Sequence, residues 1–177
     1  MHMTENGIIY FHGYGSSPNT DKVKLLKEHF SEVYAFPIDV DPDKSLPYLE
    51  EEIENVFYGT INVPSKLVFV GTSLGAWYAG YLAKRFFSPA VLINPCHSFK
   101  SVKVDLGIPE EIKSKYEALG FRYPKDTRFF ISLQDEVIDF SNFPQEHPGT
   151  WTQWCPGTHR FNGPEFQAVI EYLKTIK

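Results

Sequence analysis

One stretch constrains the fold of this chain more than any other: Lys66-Leu67-Val68-Phe69-Val70-Gly71-Thr72-Ser73-Leu74-Gly75-Ala76-Trp77-Tyr78-Ala79-Gly80-Tyr81-Leu82-Ala83. An apolar run of strand length enters a Gly-x-Ser-x-Gly turn and leaves as a segment of helical period. Such a turn is too sharp for a side chain at either flanking position, so Gly71 and Gly75 are read as steric requirements of the bend. The serine between them stands clear of the sheet, where its hydroxyl can reach a substrate carbonyl. The spacing is that of a nucleophile elbow, and the strand before it and helix after it supply the context that the pattern alone lacks.

Elements elsewhere alternate in the same way. Gly7 to Phe11 reads as a strand ending in the turn-forming run His12-Gly13-Tyr14-Gly15-Ser16-Ser17-Pro18. Asn19 or Thr20 can cap a helix reaching about Phe30, with Val23, Leu26 and Phe30 on its inner stripe. Val33 to Phe36 is a second strand. A helix is expected from Ser45 or Leu46 with Pro47 in its first turn, and Asp39, Asp41 and Asp43 read as a solvated turn before it. After the elbow come a strand at Ala90–Ile93, an irregular segment from about Cys96 to Pro124 with a helix from Pro109 to about Leu119, and a strand at Arg128–Leu133. A short helix near Ser141–Glu146, a strand near Trp151–Trp154 and a helix from about Pro164 to Ile176 complete the chain. Strands alternating with helices imply right-handed crossovers and a mostly parallel sheet covered on both faces, an α/β three-layer sandwich. At 177 residues, with no linker or internal repeat, a single domain over 1–177 is expected.

Composition excludes several classes of function. Lys plus Arg number 17 against 22 Asp plus Glu, a net charge of −5 with no basic stripe, which argues against nucleic acid as a partner. The glycine-rich turn after the first strand lacks the Gly-Lys-Ser/Thr ending of a phosphate loop and the Gly-x-Gly-x-x-Gly spacing, so no nucleotide cofactor is expected. Cys96 and Cys155 are the only cysteines, read as buried thiols, and no Cys/His array has zinc-site spacing, so no metal is expected. The start of the chain shows no secretory signal pattern and no apolar run could cross a bilayer, which points to a cytoplasmic protein with no membrane partner.

In a parallel sheet, chemistry collects where strands hand over to loops at their C-terminal ends. Ser73 follows the elbow strand, Asp135 follows the Arg128–Leu133 strand, and His159 lies between the last strand and the last helix. A serine hydroxyl needs an imidazole to take its proton and a carboxylate to hold that imidazole in one tautomer. Of the six histidines, His159 alone sits in a loop just before the closing helix, in Pro156-Gly157-Thr158-His159-Arg160-Phe161. Asp135 is nearest its strand end, with Asp139 as the alternative acid and Glu136 read as a surface carboxylate. The backbone N–H groups of Leu74 and Tyr14 are the candidate oxyanion donors, the latter because Gly13 and Gly15 let that backbone approach a ligand. His12 reads as a structural hydrogen-bonding residue. Trp77, Tyr78 and the segment Cys96–Pro124 are candidate pocket walls, helix packing being the alternative for the two aromatics.

With these residues in place, the sequence resembles the α/β-hydrolase superfamily and, within it, a small bacterial group, the YqiA/YcfP-like esterases. The likeness rests on Ile8–Pro18, Gly71-Thr72-Ser73-Leu74-Gly75, Ile93-Asn94-Pro95, Leu133-Gln134-Asp135-Glu136-Val137 and Gly157-Thr158-His159-Arg160-Phe161. Some members of that group lack the elbow serine; this chain keeps it, and it carries Gln134 where a small residue is the rule. The resemblance implies a compact hydrolase fold with little or no cap. It also implies esterase or thioesterase activity on small-molecule or acyl substrates through an acyl-enzyme on Ser73, with Asp135 as acid and His159 as base. A ligand-binding protein on the same scaffold and an acyltransferase using the same residues are the alternatives, and the oligomeric state stays open.

Overall fold

The computed structural model describes residues 6–59 and 66–176. Six strands form one sheet, β1 (Asn6–Phe11), β2 (Val33–Ala35), β3 (Lys66–Thr72), β4 (Ala90–Ile93), β5 (Arg128–Ser132) and β6 (Trp151–Cys155), in the spatial order β2-β1-β3-β4-β5-β6. Every pairing is parallel. The helices are α1 (Asp21–His29), α2 (Pro42–Gly59), α3 (Leu74–Arg85), α4 (Glu110–Leu119), α5 (Phe143–Glu146) and α6 (Pro164–Thr175).

Side-chain alternation along the strands divides the core in two. Ile8, Tyr10, Val68, Val70, Val91 and Phe130 meet α1 and α6 on one face, against Val23, Leu26, Phe166 and Ile170. Ile9, Phe11, Phe69, Leu92, Phe129 and Ile131 face the other way, against α2, α3 and α4. The result is the expected three-layer sandwich. Because both faces are covered, the strands read as continuous apolar runs rather than alternating ones.

The helix after β2 begins earlier than the sequence suggested, at Pro42 rather than Ser45. Asp39 and Asp43 are exposed, as the solvated-turn reading has it, but Asp41 is largely covered and Asp43 already lies in the helix. Asp41 starts the helix: its carbonyl accepts from Lys44 N and Ser45 N, and its Oδ1 accepts from Asp43 N at 3.1 Å. Pro42 then takes the first helical position, where a missing N–H costs nothing, while Pro47 lies inside the helix instead of in its first turn.

The order of the sheet places the site. From β1 the chain moves outward to β2, then returns across β1 to β3 and proceeds the other way. The loops leaving β1 and β3 therefore diverge at their C-terminal ends, and the crevice between them is where a ligand can enter a parallel sheet.

Candidate active site

Ser73 occupies the bend between β3 and α3 with φ 57° and ψ −122°, a conformation that an L-residue adopts at a cost of about 1–3 kcal/mol. Three backbone bonds hold it: Ser73 N donates to Ile93 O at 2.9 Å, and Ser73 O accepts from Ala76 N at 3.1 Å and Cys96 N at 3.0 Å. The flanking glycines are obligatory. A Cβ at Gly75 would drive into the Phe11 and His12 carbonyl oxygens of the β1 end, and one at Gly71 would sit 2.6 Å from Ala76 Cα. Gly13 packs from the β1 loop, where a Cβ would stand 3.3 Å from Ser73 Cβ.

The three candidates from separate strand ends meet. His159 Nε2 lies 2.9 Å from Ser73 Oγ, and His159 Nδ1 lies 2.7 Å from Asp135 Oδ2. With the carboxylate accepting, Nδ1 carries the proton and Nε2 presents its lone pair to the serine hydroxyl. The Asp135 side chain is only 2 % exposed. Its Oδ1 accepts from Val137 N at 2.8 Å and Ile138 N at 2.7 Å, so the buried charge is fully hydrogen-bonded. Asp139, the alternative, turns away: its Oδ1 accepts from Ser141 N, and that bond holds its carboxyl below the usual range.

Several residues that carry this arrangement were not picked out as functional from sequence. Asn94, fully buried at the end of β4, accepts from Ser132 N at 2.8 Å and donates to Ser132 Oγ at 2.9 Å and to His159 O at 3.1 Å. Ser132 Oγ in turn donates to Thr158 O at 2.8 Å. Gln134 brackets Gly157, its Oε1 accepting from Gly157 N at 2.7 Å and its N donating to Gly157 O at 3.1 Å. Glu136 is more than a surface acid. Its Oε2 accepts from His159 N at 3.0 Å, and this bond lowers its carboxyl pKa. On the far side of the loop, Lys22 Nζ donates to Arg160 O at 2.7 Å and Asn162 Oδ1 at 2.8 Å. Burial, and then the Arg160 charge, lower the Lys22 pKa. The only local hint of the Asn94 role is an asparagine in a strand-end Asn-Pro dipeptide; the other ties join residues distant in sequence.

His12 plays the structural part expected of it. Its Nδ1 donates to Gly13 O at 2.9 Å, and burial lowers its pKa, so it is a neutral ring. Ser16 N donates to the same Gly13 oxygen at 3.2 Å. In a planar trans peptide the C=O and the following N–H point in opposite directions. Fixing the Gly13 carbonyl therefore fixes the direction of Tyr14 N–H. Leu74 opens α3, and its N–H belongs to the first helical turn, which has no partner within the helix.

Two spaces adjoin Ser73. One is an open polar cleft of about 560 Å³, lined by Gly13, Tyr14, Thr20, Lys22, His159 and Arg160 among others. The other is a nearly closed apolar slot with about 10 Å³ of free space, walled by Cys96, Phe99, Val102, Leu106, Ile108, Val137 and Ile138. The segment from Cys96 thus forms a pocket wall as expected. Trp77 and Tyr78 do not. Both are buried in the core, stacked or edge-on with Tyr81 and Tyr116, and Tyr78 OH bonds Tyr116 OH at 2.7 Å. Cys96 and Cys155 are free and buried, and burial pushes the Cys96 thiol up to about 12, which removes it as a nucleophile at neutral pH.

A parallel sheet with an elbow at its switch point defines the class of protein: the fold is that of the α/β-hydrolases. The model of the Uncharacterised protein family (UPF0227) matches residues 7–176, and the chain belongs to that family. Among solved structures it is similar to the Pyrococcus furiosus esterase Pf2001, with a TM-score of 0.67 and 17 % identity over 97 % of this chain and 83 % of that one. Est1E from Butyrivibrio proteoclasticus gives a TM-score of 0.67 at 15 % identity, covering 97 % of this chain and 86 % of its own. The thioesterase RedJ from the prodiginine pathway of Streptomyces coelicolor gives 0.64 at 12 % identity, over 97 % and 86 %. At these identities the likeness is one of fold. No helix among the described residues is long and apolar enough to cross a membrane.

Proposed function

We propose that the protein is a serine hydrolase that cleaves carboxylic esters or thioesters through an acyl-enzyme on Ser73. The observation that carries this reading is the unbroken chain from Asp135 through His159 to Ser73, with links of 2.7 and 2.9 Å. Ser73 Oγ attacks the carbonyl carbon as His159 Nε2 takes its proton. Asp135 keeps Nδ1–H in place and stabilises the imidazolium that forms. The oxyanion is received by Leu74 N–H and by Tyr14 N–H, which His12 orients through the Gly13 carbonyl. His159 then returns the proton to the leaving oxygen or sulfur, and water repeats the sequence on the acyl-serine. The names of similar folds, an esterase and a thioesterase, support the same chemistry. The apolar slot, with about 10 Å³ free, has room for no more than a methyl-sized end of an acyl group. The open polar cleft of about 560 Å³ suits the rest of the substrate, so substrates are esters or thioesters of short acyl groups with a polar alcohol or thiol part.

The test is labelling by a fluorophosphonate probe alongside turnover of short-chain p-nitrophenyl esters and acyl thioesters. The wild type should label and turn over. Ser73→Ala should lose both, with turnover reduced about 10⁶-fold and circular dichroism unchanged. A folded wild type that neither labels nor hydrolyses, or a Ser73→Ala variant with undiminished turnover, overturns the proposal.

A further inference from the structure

A second cluster of chemistry-bearing side chains lies outside the cleft, and nothing in the serine mechanism uses it. His97, three residues past Asn94, faces Glu146 at the end of α5 and the adjoining His147. One donor atom from each of the three lies within 4.8 Å of the others. His97 meets the carboxylate from a buried position. Its side chain is 2 % exposed, and its Nδ1 lies 3.4 Å from Glu146 Oε2. That separation is long for a hydrogen bond between these groups. It is, however, close to the edge of a tetrahedron around a metal with ligand bonds of about 2.0–2.2 Å, roughly 3.4 Å.

We propose that His97, Glu146 and His147 form a binding site for a divalent transition metal, with zinc the best match to two imidazoles and a carboxylate. Both rings are suited to ligation. Tyr123 OH meets His147 Nδ1 at 3.0 Å and fixes the ring's orientation. Phe140 and Phe143 pack on His97, giving the site an apolar wall of the kind that restricts solvent around a bound ion. Glu146 is half exposed, which leaves an entry path from solvent. The sequence held no zinc spacing because the ligands come from two segments that only the fold brings together. The metal would staple α5 to the loop after β4. That loop already touches the elbow, since Cys96 N donates to Ser73 O.

The experiment is a titration of chelator-stripped full-length protein with Zn²⁺ in competition with a chromophoric chelator. A parallel Co²⁺ titration would be followed by visible absorption. Wild type should bind one equivalent of each metal, and the Co²⁺ form should show the intense bands of a four-coordinate site. Glu146→Gln, on an exposed side chain, and His147→Ala should each weaken binding at least 10-fold while ester turnover of the metal-free protein is unchanged. Absence of saturable binding overturns the proposal. So does binding that is equally tight in both variants, which would place the metal on other histidines such as His159 or His2. Because the readout is metal affinity, failure of this site and failure of the serine chemistry are separable.

Discussion

The elbow and the acid–base arm meet at one hydrogen bond, yet they are held by different means. Around Ser73 the backbone does the work. The strained bend is fixed by backbone bonds to Ile93, Ala76 and Cys96, and by glycines whose side chains would strike neighbouring carbonyls. Around His159 the chain turns through positive φ at Gly157 and Phe161, and side chains fix it from outside: Asn94, Ser132, Gln134, Glu136 and Lys22. A nucleophile must be held against strain, and close-packed backbone does this best. A base must carry and return a proton, and here its loop is placed by side-chain hydrogen bonds rather than by packed backbone.

The contrast predicts a large structural effect on one side and a large chemical effect on the other. Gly75→Ala puts a Cβ against the Phe11 and His12 carbonyls, backbone against backbone, with no flexible atom to give way. We expect a loss of about 4 kcal/mol or more, a fall in melting temperature of roughly 10 °C or failure to fold. A melting temperature within about 2 °C of wild type would mean the elbow is far more compliant than its geometry implies. Asp135→Asn should behave in the opposite way. The amide can keep one acceptor for Val137 N and Ile138 N, but its NH₂ faces His159 Nδ1 and favours the tautomer with Nε2 protonated. Nε2 can then no longer take the serine proton, and kcat should fall about 10⁴-fold with the melting temperature nearly kept. Near-normal kcat in a folded Asp135→Asn would remove the carboxylate from the mechanism and reopen the case for Asp139.

The same contrast explains what could be read from the sequence. The elbow was legible because its constraint is local: glycines two residues either side of the serine state the steric demand of a single turn. Asp135 was legible as the first carboxylate after its strand, where a short turn lets it accept from Val137 N and Ile138 N. Asn94 was quoted only as part of a similar segment, and Gln134 only there and as a departure from the family's small residue, with no role for either. Their bonds reach 65 and 23 residues along the chain, and such contacts leave no periodic trace. Trp77 lies one turn into an elbow helix that is buried on nearly every side, so no apolar stripe marked which aromatics faced the core. The start of α2 was missed because Asp41-Pro42, a good capping pair, lies inside an acidic run that reads as solvated.

The side chain whose loss best sharpens the comparison is Asn94. It sits at φ 42°, where asparagine is tolerated and alanine is not favoured, and its amide ties Ser132 and His159 together. Asn94→Ala adds backbone strain to the loss of these bonds, leaving Ser132 N–H and His159 C=O short of a partner. About 2–4 kcal/mol of stability should go with it. Asn94→Gly removes the same bonds without the strain, so it should recover part of the stability. It should not recover the activity: with His159 O released, the ring loses its fixed distance to Ser73, and we expect kcat to fall about 10–100-fold with KM little changed. Measuring melting temperature and kcat for both variants separates the two contributions. If Asn94→Gly regains full kcat, the base loop is positioned by Gln134, Glu136 and Lys22 alone, and the asparagine serves the backbone rather than the base.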